Sequence, residues 1–257
     1  MPEVQQCAFS VVIPAFNEAD RLPKTLERLD RFFLKAEDLG PVEVVVVDDG
    51  SSDRTSEVSD AFRGSGNVTV RVFRHRQNQG KGAAVRTGFW HSRGRHVLLS
   101  DADLAAPIAG IRRLIPASGD STVVIGSRAV DRSLLFDPQP RYRDLMGRTF
   151  NLMVRALLLP GIFDTQCGFK LFPGQIARSL STVQEINGFA YDVELLVVSR
   201  LWGLKIVEVG VPWGHVEASR VLPGRHSAQM FRDLLKITLR RWTNALPQEP
   251  RGGSSHG

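Results

Sequence analysis

VEVVVVDDGSSDRT, residues 42–55, decides the fold. Five of its first six residues are valine, so the run does not alternate apolar with polar. A strand with one wet face alternates, whereas a nearly continuous β-branched run suits a strand covered on both faces, as in parallel sheets. The chain then turns polar at once, and Ser52 or Asp53 is placed to cap a following helix. Strand, polar turn and helix form the repeating unit of an α/β protein.

The same unit recurs along the first half. Residues 8–14 (AFSVVIP) form a short apolar run followed by a polar turn, and residues 21–39 carry Leu22, Leu26, Leu29 and Phe33 at helical spacing. Further strands are expected at 68–73, 96–99 and 122–126, with QNQGKGAA (77–84) leading into a helix through Trp90. Such alternation predicts a mostly parallel sheet with helices on both faces and ligands beyond the carboxyl ends of its strands. Polar residues sit at those ends with regularity. Asn17 and Glu18 follow the first strand, Asp48 and Asp49 the second, Asp101 and Asp103 the fourth, Ser127 and Arg128 the fifth.

The fourth strand end, HVLLSDADLAAP (96–107), raises a chemical question. Residues i and i+2 of an extended chain point to one side, so Asp101 and Asp103 repel each other. Neither carboxylate is buried cheaply without a counter-charge, and a divalent cation is the natural one. Taken alone the motif also suits a solvated loop.

Beyond residue 130 the pattern changes. DRSLLFDPQPRYR (131–143) reads as a mobile loop, 143–159 as a helix, DTQCGFKLF (164–172) as a turn and strand, 191–202 as a helix and 205–213 as a strand. Residues 225–242 form an amphipathic helix, with Arg232, Lys236 and Arg240 in a row beside Phe231, Leu234, Leu235 and Leu239. The end, PQEPRGGSSHG, reads as a disordered tail.

Bulk properties narrow the partners. The formal charge is +6 with a pI near 9.8, and 27 of the 33 cations are arginine, which suits planar recognition of phosphate. Interleaved aromatics and basic clusters are missing, so no nucleic-acid partner is expected. Cys7 and Cys167 lie far apart without metal-ligand spacing, as in a reducing compartment. No signal peptide and no apolar run of membrane-spanning length are read, so a cytoplasmic chain is expected, free or peripheral on the membrane face.

Four motifs now carry a resemblance. VVIPAFNE (11–18), VVDDGSSDRT (46–55), NQGKGAAVRTG (78–88) and LLSDADL (98–104), in this order, resemble the inverting family 2 glycosyltransferases of the GT-A fold. IGSR (125–128), GIFDTQCGFKLF (161–172), FAYDVELL (189–196), VEVGVPW (207–213) and DLLKITLRRW (233–242) are similar to the dolichyl-phosphate (polyprenyl-phosphate) β-glucosyltransferases, many of which carry a transmembrane helix. The resemblance implies a single GT-A catalytic domain over 1–242, with a nucleotide-sugar half at 8–128, an acceptor half at 129–242 and a tail at 243–257. It also implies transfer of glucose from UDP-glucose to a polyprenyl phosphate at a membrane surface. GDP-mannose as donor and a soluble hydroxyl acceptor remain the alternatives.

Roles carry over residue by residue. Asp103 is the expected ligand of Mg²⁺ or Mn²⁺, which acts as a Lewis acid on the leaving diphosphate, with Asp101 nearer the ribose and the metal shell. Glu18 and Asp49 would contact the nucleoside above a wall made by Pro14 and Ala15, and Lys81 would approach the diphosphate. Arg128 and Arg148 would meet the acceptor phosphate, although an ion pair with a carboxylate is the plainer reading for either. Asp192 would serve as base, orient the acceptor or anchor a basic side chain; Glu194, two residues on, points elsewhere on the helix. Cys167 is not expected to act as a nucleophile.

Overall fold

The computed structural model describes residues 7–137, 140–215 and 223–248. In chain order its strands are β1 (Phe9–Ala15), β2 (Val42–Asp48), β3 (Val68–Arg74), β4 (His96–Leu99), β5 (Thr122–Ser127), β6 (Leu135–Asp137), β7 (Lys170–Pro173), β8 (Lys205–Gly210) and β9 (Trp213–Gly214). The helices are α1 (Leu22–Lys35), α2 (Thr55–Asp60), α3 (Lys81–His91), α4 (Ile111–Leu114), α5 (Arg141–Leu157), α6 (Gly174–Val183), α7 (Tyr191–Leu201) and α8 (Pro223–Trp242).

Seven strands form the central sheet in the order β3-β2-β1-β4-β7-β5-β8. All neighbours pair parallel except β7, which runs antiparallel between β4 and β5. The valine run behaves as its composition predicts. Val45 and Val47 join Val12, Val97, Leu99 and helix residues Val85, Phe89 and Leu196 on one face. Val44 and Val46 join Val11, Ile13, Leu98, Leu26 and Phe33 on the other. With both faces covered, no alternation is needed. The strand order reverses where β1 meets β4, and such a switch point opens a crevice beyond the carboxyl ends of the two strands.

The second half departs from expectation in several places. Residues 131–143 are not a plain loop: Asp131 Oδ1 accepts the Ser133 N–H (3.1 Å), a single turn follows, and β6 pairs with β9 in a separate two-stranded sheet. Residues 138–139 of that stretch lie outside the described residues. The expected strand over 205–213 is two strands, because Pro212 lacks the N–H that would continue the ladder. Chain also packs beyond residue 242: Leu246 is buried, and the Trp202 indole N–H donates to the Pro247 carbonyl (3.1 Å). The expected tail from residue 249 onward lies outside the described residues.

Candidate active site

The rim at the carboxyl ends of β1, β2 and β4 is stitched together by short polar side chains. Asn17 sits at φ +55°, a conformation that asparagine tolerates. Its Oδ1 accepts the Ser52 N–H (2.9 Å), and its own N–H donates to Ser51 Oγ (2.8 Å). The Glu18 N–H donates to Thr55 Oγ1 (2.8 Å), and the Glu18 carboxylate pairs with Arg21 (3.1 Å). Asp53, rather than Ser52, receives the Thr55 N–H at the start of α2 (3.0 Å). Pro14 and Ala15 close β1, where the Ala15 carbonyl accepts the Asp49 N–H (2.8 Å).

The paired aspartates at the end of β2, Asp48 within it and Asp49 after it, both turn inward. Asp48 is fully buried and takes the Ser51 N–H (2.8 Å), closing the turn at Gly50. Gly50 has φ +72°, and any Cβ there would lie 2.4 Å from the Gln77 carbonyl carbon, so the turn demands glycine. Asp49, expected to touch the nucleoside, is also buried. Its oxygens accept the Gln79 and Gly80 N–H groups (3.0 and 2.8 Å), with His75 Nδ1 at 2.7 Å. What these bonds do is hold the 75–80 loop that delivers Lys81 to the start of α3.

Lys81 then meets the carboxylates after β4. Its Nζ lies 2.6 Å from Asp101 Oδ1. Burial works against charge on Asp101, yet Lys81, Lys170 and Arg128 hold its carboxyl below the usual range. Gly168 packs directly against this group, since a Cβ at position 168 would lie 2.1 Å from Asp101 Oδ2. Asp103 is pushed the other way, upward, by burial and by the neighbouring Asp101 charge. Its one hydrogen bond among the described residues is from the Ala105 N–H to Oδ1 (3.0 Å). The turn is completed by Leu104 at φ +49°, whose N–H donates to the Asp101 carbonyl (3.1 Å).

Two carboxylates two residues apart, one of them raised by the charge of the other, offer the oxygen ligands that a divalent cation takes. Among the described residues no group of three or more His, Cys, Asp or Glu side chains gathers at one point. A cation here would therefore take its remaining ligands from a bound diphosphate and water, as Mg²⁺ commonly does.

Beyond the carboxyl end of β5 lies a cavity of about 720 Å³, with Arg128, Arg148, Arg155, Asp144, Asp164 and Trp213 in its wall. Arg128 is chelated by Asp164 through Nε and Nη2 (both 2.7 Å) and lies 5.4 Å from the Trp213 ring centroid. Arg148 pairs with Asp144 (2.8 Å). Both arginines thus make ion pairs and also face the cavity.

Asp192 and Glu194 diverge. Glu194 accepts the Glu185 and Ile186 N–H groups (3.0 and 2.7 Å) and binds Arg240 of α8 (3.0 Å). Asp192 binds Lys170 Nζ (2.5 Å), which also donates to the Cys167 carbonyl (2.6 Å). Lys170 is fully buried on β7. Burial raises the Asp192 carboxyl, and Lys170 and Lys81 pull it back. Sequence reading misses Asp164 and Asp144. It takes Lys170, with Gln166 and Cys167, as shaping the acceptor pocket, and allows Asp192 a basic partner without identifying Lys170 as that partner. A cue lies in DTQCGFK, which places Asp164 and Lys170 inside one short, apolar-flanked stretch.

Cys167 is 1% exposed, and burial with the nearby Asp164 charge pushes its thiol up to about 12. The thiol form is a poor nucleophile. Native protein at pH 8 should leave Cys167 unmodified by iodoacetamide, as mass spectrometry would show. Cys167→Ala should keep activity within about threefold; loss of all turnover would restore the thiol to the mechanism.

Comparison with known proteins places the chain in one family. The "Glycosyl transferase family 2" model matches residues 10–180. The dolichyl-phosphate beta-glucosyltransferase of Homo sapiens is 36% identical over 247 residues, covering 92% of this chain and 76% of that protein. The protein of the same name from Saccharomyces cerevisiae is 31% identical, covering 91% and 75%. Among solved structures, glucosyl-3-phosphoglycerate synthase from Mycobacterium tuberculosis, in complex with Mn²⁺, UDP-glucose and phosphoglyceric acid, superposes with a TM-score of 0.64 at 20% identity over 94% of this chain and 81% of that one. Mannosyl-3-phosphoglycerate synthase from Rubrobacter xylanophilus gives 0.62 at 18% identity, covering 96% and 78%. At these identities the likeness is one of fold, the GT-A arrangement.

Proposed function

The chain belongs to glycosyl transferase family 2, and we propose that it transfers glucose from UDP-glucose to a polyprenyl phosphate of the dolichyl type, with inversion. The observation that carries this reading is the identity of about one third, over nine-tenths of the chain, with dolichyl-phosphate beta-glucosyltransferases. The arginine-lined cavity beside the carboxylate rim supports it, because a phosphate acceptor needs a cationic pocket next to the donor.

In this reading the nucleoside lies over the ends of β1 and β2, near Glu18, with Pro14 and Ala15 beneath the base. Asp49 holds the loop that carries Lys81, and Lys81 faces the diphosphate from its place beside Asp101. Asp103 and Asp101 would hold Mg²⁺ or Mn²⁺, which supplies Lewis-acid stabilisation of the leaving diphosphate. The acceptor phosphate is ionised at neutral pH, so its oxygen attacks the anomeric carbon without a strong base. That bond forms as the bond from carbon to the diphosphate oxygen breaks on the opposite face, giving a β-linked phosphosugar and UDP. Asp192 then serves as the counter-charge of Lys170 rather than as a proton acceptor.

No helix among the described residues is long and apolar enough to cross a membrane. Leu152 and Phe163 stand exposed in the cavity wall, and Leu145 on α5 and Phe231, Leu235 and Leu239 on α8 are exposed as well. This apolar surface, flanked by arginines, supports a chain that rests on a bilayer and takes a lipid-borne acceptor from it.

The experiment is product analysis. Incubation with UDP-glucose, GDP-mannose and other sugar nucleotides in turn, with polyprenyl phosphate or the matching alcohol, should give a β-anomeric glucosyl phosphate from UDP-glucose and the phosphate alone. An α-anomer would refute inversion, and an equal yield from the alcohol would refute the phosphate acceptor.

A further inference from the structure

The cavity wall contains a fourth arginine, Arg132, which lies 3.7 Å from Asp144. Four guanidinium groups therefore face two carboxylates, and the sharing is uneven. Asp164 takes Arg128, while Asp144 takes both Arg148 and Arg132. Arg155 makes no ion pair among the described residues, and its buried Nε has no hydrogen-bond partner. Its terminal N–H groups also donate to no acceptor among the described residues, and Arg155 lines the cavity, where an anion from outside the chain can meet them.

The Arg155 side chain is nonetheless fixed. Its guanidinium carbon lies 4.2 Å from the centroid of the Phe163 ring. Phe163 is held in turn by Glu208 of β8, whose Oε2 accepts the Phe163 N–H (2.7 Å). Oε1 of the same carboxylate accepts the Asp164 N–H (2.8 Å). One carboxylate thus fixes the residue beneath Arg155 and the residue that chelates Arg128. Arg148 and Arg155 stand seven residues apart on α5, two helical turns along one face, so both reach the same space.

We infer that Arg155 is the principal anchor of the acceptor phosphate, held ready by Phe163, with Glu208 positioning both halves of the pocket. Arg128, neutralised by Asp164, and Arg148, which shares Asp144 with Arg132, shape the pocket around it. An arginine stacked on a ring keeps its planar fork of N–H groups for a bidentate phosphate contact. This rests on the reading that the acceptor is a phosphate.

The test uses the full chain, a short polyprenyl phosphate and the matching alcohol in detergent. Acceptor KM, kcat and the KM for UDP-glucose are measured for the unaltered protein, Arg155→Gln, Arg155→Lys and Phe163→Leu, with melting temperatures to verify folding. Arg155→Gln should raise the acceptor KM about 10- to 100-fold and leave the UDP-glucose KM within about twofold. Arg155→Lys should recover part of the loss, and Phe163→Leu should raise the acceptor KM about threefold. If the unaltered protein uses the phosphate and Arg155→Gln matches its acceptor KM, the anchor role is refuted while the transferase reading stands. If the unaltered protein binds the phosphate no better than the alcohol, both fall. Should Arg155→Gln not fold, Arg155→Lys and Phe163→Leu decide: an acceptor KM unchanged in both overturns the inference.

Discussion

Asp103→Asn should lower glucosyl transfer by about 10³-fold while the protein remains folded and melts no earlier than the unaltered chain. The two halves of this expectation have one cause. Burial and the Asp101 charge both raise Asp103, so its negative charge is costly to the fold by itself, and in the proposed reading a bound cation offsets that cost. Asparagine keeps the oxygen that accepts the Ala105 N–H and removes the charge, so the turn after β4 survives. Stability gained as function is lost is the usual mark of a site built for a ligand. Binding of UDP-glucose measured in EDTA should be unchanged, and its enhancement by Mn²⁺ should vanish. A lower melting temperature with near-normal turnover would mark Asp103 as scaffold instead.

Asp192→Ala carries the second large effect, this time on stability. Lys170 has no exposed surface, and its ammonium contacts only Asp192 and the Cys167 carbonyl among the described residues. Removing Asp192 takes away the hydrogen-bonded counter-charge of this buried ammonium and leaves only the more distant Asp101 and Asp164 acting on it, at a cost of about 3 kcal/mol in urea unfolding. The paired change Lys170→Met with Asp192→Leu removes both charges and should recover most of that loss. Asp192→Asn separates scaffold from base. Because a phosphate acceptor needs no proton removed, its kcat should fall less than about tenfold. A fall of 10³ or more in a folded Asp192→Asn protein would make Asp192 the base and favour a hydroxyl acceptor.

How much of this is legible in the sequence depends on distance along the chain. The valine run of β2 and the carboxylates at strand ends are local signals, and the strands they predict sit where expected to within a residue or two. Direction is not local. Nothing in KLFP says that β7 inserts antiparallel between β4 and β5, because side-chain alternation is the same either way. The helix over Gly174–Val183 goes unread for a related reason: it follows β7 with no polar turn to announce it.

At the site, residue types are legible and pairings are not. Arg128 at the end of β5 reads as a group aimed at the rim, but its chelator Asp164 is 36 residues away and arrives only through the fold. Asp48 and Asp49 show the limit from the other side. Both follow a buried strand, and only the Gly50 turn and the 75–80 loop reveal that both carboxylates are used internally. Arg155 looks like one more solvated arginine on an amphipathic helix until its unpartnered Nε and the ring of Phe163 are seen together.

The most direct measurement is transfer of labelled glucose from UDP-glucose to polyprenyl phosphate in detergent. Mn²⁺, Mg²⁺ and EDTA are run in parallel for the unaltered protein and Asp103→Asn. Label should enter the lipid fraction only with the unaltered protein and a divalent cation. Equal label in EDTA, or equal label from Asp103→Asn, would contradict a donor site built on the two aspartates after β4.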